Sequence, residues 1–186
     1  RQCLLYHVFL ASMVFVLLAD DGYAFMVAWE SMALSSFLLL TSEHQHSEIR
    51  RAGYLYLLIA HIGALAILLS FGIMAGSAGD YTFDAMRDFY HDGIWPTVAF
   101  LLALFGFGAK AGLLPLHIWL PEAHPAAPSP VSALMSGVML KTAIYGIIRI
   151  SLDLLDDNLW WWGVLLLVIG LITAIFGVIY AAIQSD

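Results

Sequence analysis

Glu30, Lys110 and Lys141 each stand about half way along a run of hydrophobic residues long enough to cross a bilayer. A charge at the bilayer centre costs about 2.5 to 3.5 kcal/mol, so three unpaired ones would cost roughly 8 to 10 kcal/mol, against the ~0.3 to 0.6 kcal/mol that an apolar residue returns there. Such groups persist where they face a protein interior or internal water, and they mark ion or proton routes. The expected arrangement is an ion pair between Glu30 and one of the lysines. It would carry chemistry, because burial favours a neutral amine and a nearby carboxylate favours the ammonium. Moving the carboxylate would then make a lysine release or capture a proton. The competing reading is a pair that only fixes helix register. Three central charges beside an expected helix break favour the ion route.

Histidines extend this set. His61 lies near the middle of another apolar run and is a candidate relay, although a lone histidine on an apolar helix is commonly a neutral, hydrogen-bonded core residue. His117 and His124 flank a proline-rich stretch and are candidates for feeding protons inward, against the plainer reading of solvated loop side chains. His44 and His46 have no third ligand nearby, so no metal site is expected. Gly106-Phe107-Gly108 before Lys110 lacks the spacing and the preceding strand of a phosphate loop. No redox or hydrolytic signature is present, and no cofactor is expected. The single cysteine, Cys3, excludes an internal disulfide and any four-cysteine cluster.

The elements that must position these residues are membrane spans. Hydrophobic residues make up 62% of the chain and charged ones 11%, a balance far from that of a soluble domain. The chain reads as an all-α integral membrane protein, one membrane domain over 1–186, with about six transmembrane helices at 4–19, 23–41, 52–75, 95–123, 130–150 and 160–183. The net charge of −7 comes mostly from acidic loops, and no basic stripe suits nucleic acid. Between the third and fourth spans, Phe83, Met86, Phe89 and Tyr90 recur at helical spacing, which predicts a short helix lying in the interface plane. Trp95 and the run Trp160-Trp161-Trp162 open spans, as an aromatic belt requires.

The fourth span is too long to be straight. About 29 residues as one helix would measure roughly 43 Å, beyond the ~30 Å hydrocarbon core. Gly106, Gly108 and Gly112 followed by Pro115 offer a break near 109–115, and Lys110 lies on it. Breaks at membrane depth are tolerated where the freed backbone groups are buried in protein or line a cavity. The alternative is an ordinary span to about Leu114 followed by a surface segment. Basic residues place the His44/His46/Arg50/Arg51 loop and the Pro115 to Pro130 loop on the cytoplasmic side by a small margin.

The run Lys110-Ala-Gly-Leu-Leu-Pro-Leu-His-Ile-Trp-Leu-Pro-Glu-Ala-His124, then Ala127-Pro-Ser-Pro-Val-Ser-Ala133 and Leu140-Lys-Thr-Ala-Ile-Tyr-Gly146, resembles the antiporter-like, proton-translocating membrane subunits. These are shared by respiratory complex I, membrane-bound hydrogenases and Mrp-type sodium/proton antiporters. Trp29-Glu30-Ser-Met-Ala-Leu-Ser-Ser-Phe37 is similar to the other signature of the family. Within it, the wording from His124 to Lys141 is most similar to the branch of hydrogenase-4 component B and formate hydrogenlyase subunit 3. The resemblance implies that Glu30 tunes Lys110, which exchanges protons with Lys141 through water and polar side chains. It implies that these spans are part of a larger subunit of about fourteen helices built as inverted repeats. It also implies other membrane subunits of a respiratory or hydrogenase complex as partners, a bacterial or archaeal inner membrane as the location, and protons or sodium as the ion. A Mrp-type antiporter subunit and a non-conducting membrane anchor are the alternatives.

Overall fold

The structure is a computed structural model that describes residues 2–88, 93–155 and 159–183. Among these residues it is all helical apart from one isolated bridge between Asp21 and Thr82. The helices are α1 (Gln2–Leu18), α2 (Gly22–Leu40), α3 (Ser47–Ala75), α4 (Phe83–Asp88), α5 (Trp95–Ala111), α6 (Trp119–Ala126), α7 (Ser129–Leu134), α8 (Leu140–Arg149) and α9 (Trp160–Ile183). Five stretches are long and apolar enough to cross a membrane: Gly22–Glu43, Ser47–Ala75, Trp95–Ala126, Ser129–Leu154 and Trp160–Ile183. The shorter apolar helix α1 accompanies them.

Local chemistry explains the boundaries. Asp21 opens α2 by accepting the Ala24 N–H at 2.7 Å, satisfying one of the free amides of the first turn. Pro96 sits in the first turn of α5, where no amide is needed. Gly112, at φ +75°, ends α5 in a left-handed conformation that a side chain disfavours. α7 and α8 are joined by a wider π-type turn over Met135–Met139, and a second such turn, Ile150–Leu154, follows α8. Together these pieces form one membrane-length helix, Ser129–Leu154.

α3 is the central column, packed against α2, α5 and α6, while α1 lies along α2 and α8 along α5. α3 and α5 approach most closely at Gly63 and Gly106. A Cβ on Gly106 would collide with the Gly63 carbonyl and the Ile67 side chain. Small residues that let backbones approach are the usual device for holding membrane helices together, because lipid removes the hydrophobic incentive. Around this crossing, Phe107 meets Phe25 and Trp29 edge-on at 5.8 and 5.1 Å, forming an aromatic centre shared by α2 and α5.

α4 is half of the predicted interface helix. Phe83 and Met86 are buried in it, and Phe89 and Tyr90 lie outside the described residues. It is pinned by backbone bonds, Gly22 N–H to Tyr81 at 2.7 Å and Phe83 N–H to Asp20 at 3.1 Å, and by Arg87, which grips Asp153 at 2.9 and 3.0 Å. The Asp153 hydrogen bonds raise the Arg87 guanidinium above its already high range, so it stays charged. Arg87 also pairs with Asp84, and Arg149 lies over the Phe83 ring at 4.9 Å. α9 is attached more lightly. Trp162 stacks on Phe100 at 4.5 Å and is its only buried residue.

Candidate functional site

Lys110 sits in the last turn of α5 and is 3% exposed. Its Nζ donates to the Tyr56 hydroxyl of α3 at 2.6 Å. Tyr56 in turn lies 2.6 Å from Ser36 Oγ of α2 and 3.6 Å from Met139 Sδ in the π-type turn before α8. One phenol therefore joins the lysine to two further helices. An ammonium has three donors, and among the described residues Tyr56 is the only side chain or carbonyl that accepts one. The other two are available to water or to an incoming proton acceptor.

Several backbone groups freed by the helix break beside Lys110 find partners. Ending α5 at Gly112 frees carbonyls and amides that lipid cannot satisfy. The Trp119 indole, 1% exposed, donates to the Ala109 carbonyl at 2.8 Å. The Leu113 N–H reaches back to Gly108 at 2.9 Å, and the Leu114 N–H is taken by Thr173 Oγ1 of α9 at 3.2 Å. The break is thus held by a buried aromatic on one side and by α9 on the other.

Glu30 is placed differently from expectation. Among the described residues no ion pair joins it to either lysine. Its Oε2 lies 3.7 Å from His61 Nε2, with the two side chains 32% and 48% exposed. Glu30–His61 and Ser36–Tyr56 are two rungs of the same antiparallel α2/α3 pair, roughly 9 Å apart along α2 at 1.5 Å per residue. A one-dimensional reading cannot see this, since it gives depth in the membrane but not the direction around each helix. His61 Nδ1 lies 3.1 Å from the Leu57 carbonyl, which can only accept, so Nδ1 carries the hydrogen. Nε2 then faces the carboxylate with a lone pair unless one more proton sits between them.

The remaining candidates are spread out. Lys141 lies on the outer surface of the described helices, and its Nζ donates to the Ser136 carbonyl of its own helix at 2.7 Å. His117 is half-buried, edge-on to Phe176 of α9 at 5.8 Å, and its Nδ1 has no hydrogen-bond partner among the described residues. His124 Nδ1 is 2.9 Å from Ser132 Oγ, which ties α6 to α7. The structure therefore brings together Lys110, Tyr56 and Ser36, and separately Glu30 and His61. Ser132, Ala133, Ser136 and Gly137 put small residues at the start of the Ser129–Leu154 helix, and among the described residues nothing packs against Gly137. Tyr56, Ser36, Trp119 and Thr173 are missing from the sequence-based set. The only signal for Tyr56 was a hydroxyl in an apolar run, and Tyr54 carries the same signal while pointing outward at 68% exposure.

These features define a polytopic membrane helix bundle that keeps a lysine inside it, at a break in one helix and hydrogen-bonded across to a second. The chain belongs to the NADH:quinone oxidoreductase/Mrp antiporter transmembrane family, whose model matches residues 19–186. It is 46% identical to hydrogenase-4 component B of Escherichia coli over 97% of its length. It is 33% identical, over 96% of its length, to NAD(P)H-quinone oxidoreductase chain 4 1 of Picosynechococcus. Among solved structures, the Mrp complex from Dietzia superposes with a TM-score of 0.87 at 30% identity over 98% of the chain. The chain spans 27% and 34% of those two curated relatives and 20% of the Mrp chain. These relatives are components of multi-subunit membrane complexes.

Proposed function

We propose that this chain is part of a proton-translocating subunit in the membrane arm of a redox-driven complex of the membrane-bound hydrogenase or NADH-quinone oxidoreductase kind. The observation that carries the reading is Lys110: an amine buried at mid-span, beside a helix break at which Trp119 and Thr173 take up freed backbone groups, with donors left over. A structural lysine would be expected to have a carboxylate partner, since one buried charge without a counter-charge is costly. Lys110 has a phenol instead, which suits a group that changes its proton count. Glu30 and His61, 3.7 Å apart, place a second acid–base pair on the same α2/α3 column. Lys141, on the outer surface one helix away, is the next carrier, and His117 and His124 near the break are entry candidates. Electron transfer belongs to other subunits, and the location is a bacterial or archaeal inner membrane.

The test is replacement of Lys110 or Lys141 by Met in the whole subunit within its complex. A carrier assembles but loses proton-coupled activity, whereas an anchor keeps both. The likeness to the Mrp complex supports a second reading, a sodium/proton antiporter subunit without redox partners. Co-purification of hydrogenase or quinone-oxidoreductase subunits would exclude it, and sodium-dependent exchange in their absence would establish it.

A further inference from the structure

We infer that Tyr56 is a positioning residue for Lys110, a hydroxyl clamp that sets where the ammonium sits and so where its two remaining hydrogens point as the lysine passes a proton towards Lys141. The inference rests on the proton-carrier reading above. Tyr56 is 1% exposed, its ring lies 5.1 Å from that of Trp119, and its oxygen accepts from Lys110 at 2.6 Å. A phenol that accepts still has one hydrogen to place. Ser36 Oγ at 2.6 Å is a much better acceptor than Met139 Sδ at 3.6 Å. Ser36 sends its own hydrogen to the Met32 carbonyl at 2.7 Å. Three hydrogen bonds therefore run in one sense, from Lys110 through Tyr56 and Ser36 to the α2 backbone.

That direction has two consequences. The chain ends on a carbonyl, which keeps no proton, so it holds Lys110 and offers no exit. On the side of the helix that carries Lys141, Tyr56 meets only the Met139 thioether among the described residues, so transfer that way uses one of the two ammonium hydrogens that Tyr56 does not hold. The clamp also depends on the proton count of the lysine. A neutral amine presents a lone pair, and to keep the contact Tyr56 would turn its O–H to Lys110 and Ser36 would turn to Tyr56, leaving the Met32 carbonyl with only the longer hydroxyl bond from Ser35 at 3.2 Å. Gaining or losing a proton on α5 is thereby felt at the middle of α2.

The experiment uses the full subunit in its native complex, with Tyr56→Phe, Ser36→Ala and Lys110→Met, and two readouts. These are proton translocation per turnover and the ¹⁵N ammonium resonance of Lys110, assigned by its loss in Lys110→Met. Tyr56→Phe keeps the ring against Trp119 and removes only the hydroxyl. Losing one charged hydrogen bond predicts translocation lowered about tenfold and a shifted Lys110 resonance. Ser36→Ala shifts both in the same direction by less. Wild-type translocation with an unmoved resonance in Tyr56→Phe overturns the inference. Should Tyr56→Phe fail to assemble, Ser36→Ala decides on the same two readouts, because it leaves the phenol and its packing in place. Normal translocation in Lys110→Met overturns the proton-carrier reading itself, an outcome distinct from a dead Lys110→Met beside an unaffected Tyr56→Phe.

Discussion

Lys110 and Lys141 are the same residue, each about half way along a candidate span of one bundle, and the fold treats them in opposite ways. Lys110 is enclosed, and its ammonium is held by a hydroxyl from another helix. Lys141 is on the outside, and its ammonium is held by a carbonyl five residues back in its own helix. The wider turn over Met135–Met139, where the Leu140 N–H reaches back to Met135, lies just before it. π-type turns recur at functional sites because they leave backbone groups off the regular ladder. One lysine is thus positioned by tertiary packing and the other by local backbone geometry.

The largest effect that tests this contrast is Lys110→Met. Coupled transport should fall to background, while the melting temperature of the assembled complex should hold or rise, because a methionine of similar length replaces a buried charge. Loss of assembly instead would make Lys110 a structural residue. Next is Gly106→Leu. Four extra carbons at the α3/α5 crossing should cost at least about 1 to 3 kcal/mol, read as a lower midpoint in thermal unfolding in detergent. The Lys110 enclosure should loosen with it, and a neutral result would mean that the close crossing does not hold the pocket.

Trp119→Phe should cost about 1 to 3 kcal/mol by leaving the Ala109 carbonyl unpaired at the break. Hydrogen exchange should speed up over 108–114 and not over 136–141 if the two lysine sites are independent. Arg87→Ala, which removes the clamp between α4 and Asp153 at the surface, should cost under about 1 kcal/mol, and less still in high salt. The smallest change is expected for Lys141→Met, within about 0.5 kcal/mol in stability, since no other helix depends on that side chain among the described residues. A large loss there would erase the distinction between the two lysines.

Much of the frame was legible before the structure. Gly112 and Pro115 marked the break, and Trp95-Pro96 marked the start of α5, because each acts through the backbone within one turn. Glu30, Lys110 and Lys141 stood out because charge is expensive in lipid wherever it points. The partners were not legible. Tyr54 and Tyr56 are two residues apart and therefore point to nearly opposite sides of α3, and only packing tells which is inside. The Glu30–lysine pair was a reasonable guess from charge alone, yet the α2/α3 register gives Glu30 to His61 and leaves Lys110 one rung away with Tyr56.

The sequence by itself determined that this chain lives in a membrane, where its helices begin and break, and which side chains are costly to place in lipid. Those are matters of composition and of interactions within a single turn. Only the tertiary structure decided who holds whom, since rotation about each helix axis and the α3/α5 crossing at Gly63 and Gly106 choose which hydroxyl meets the buried amine.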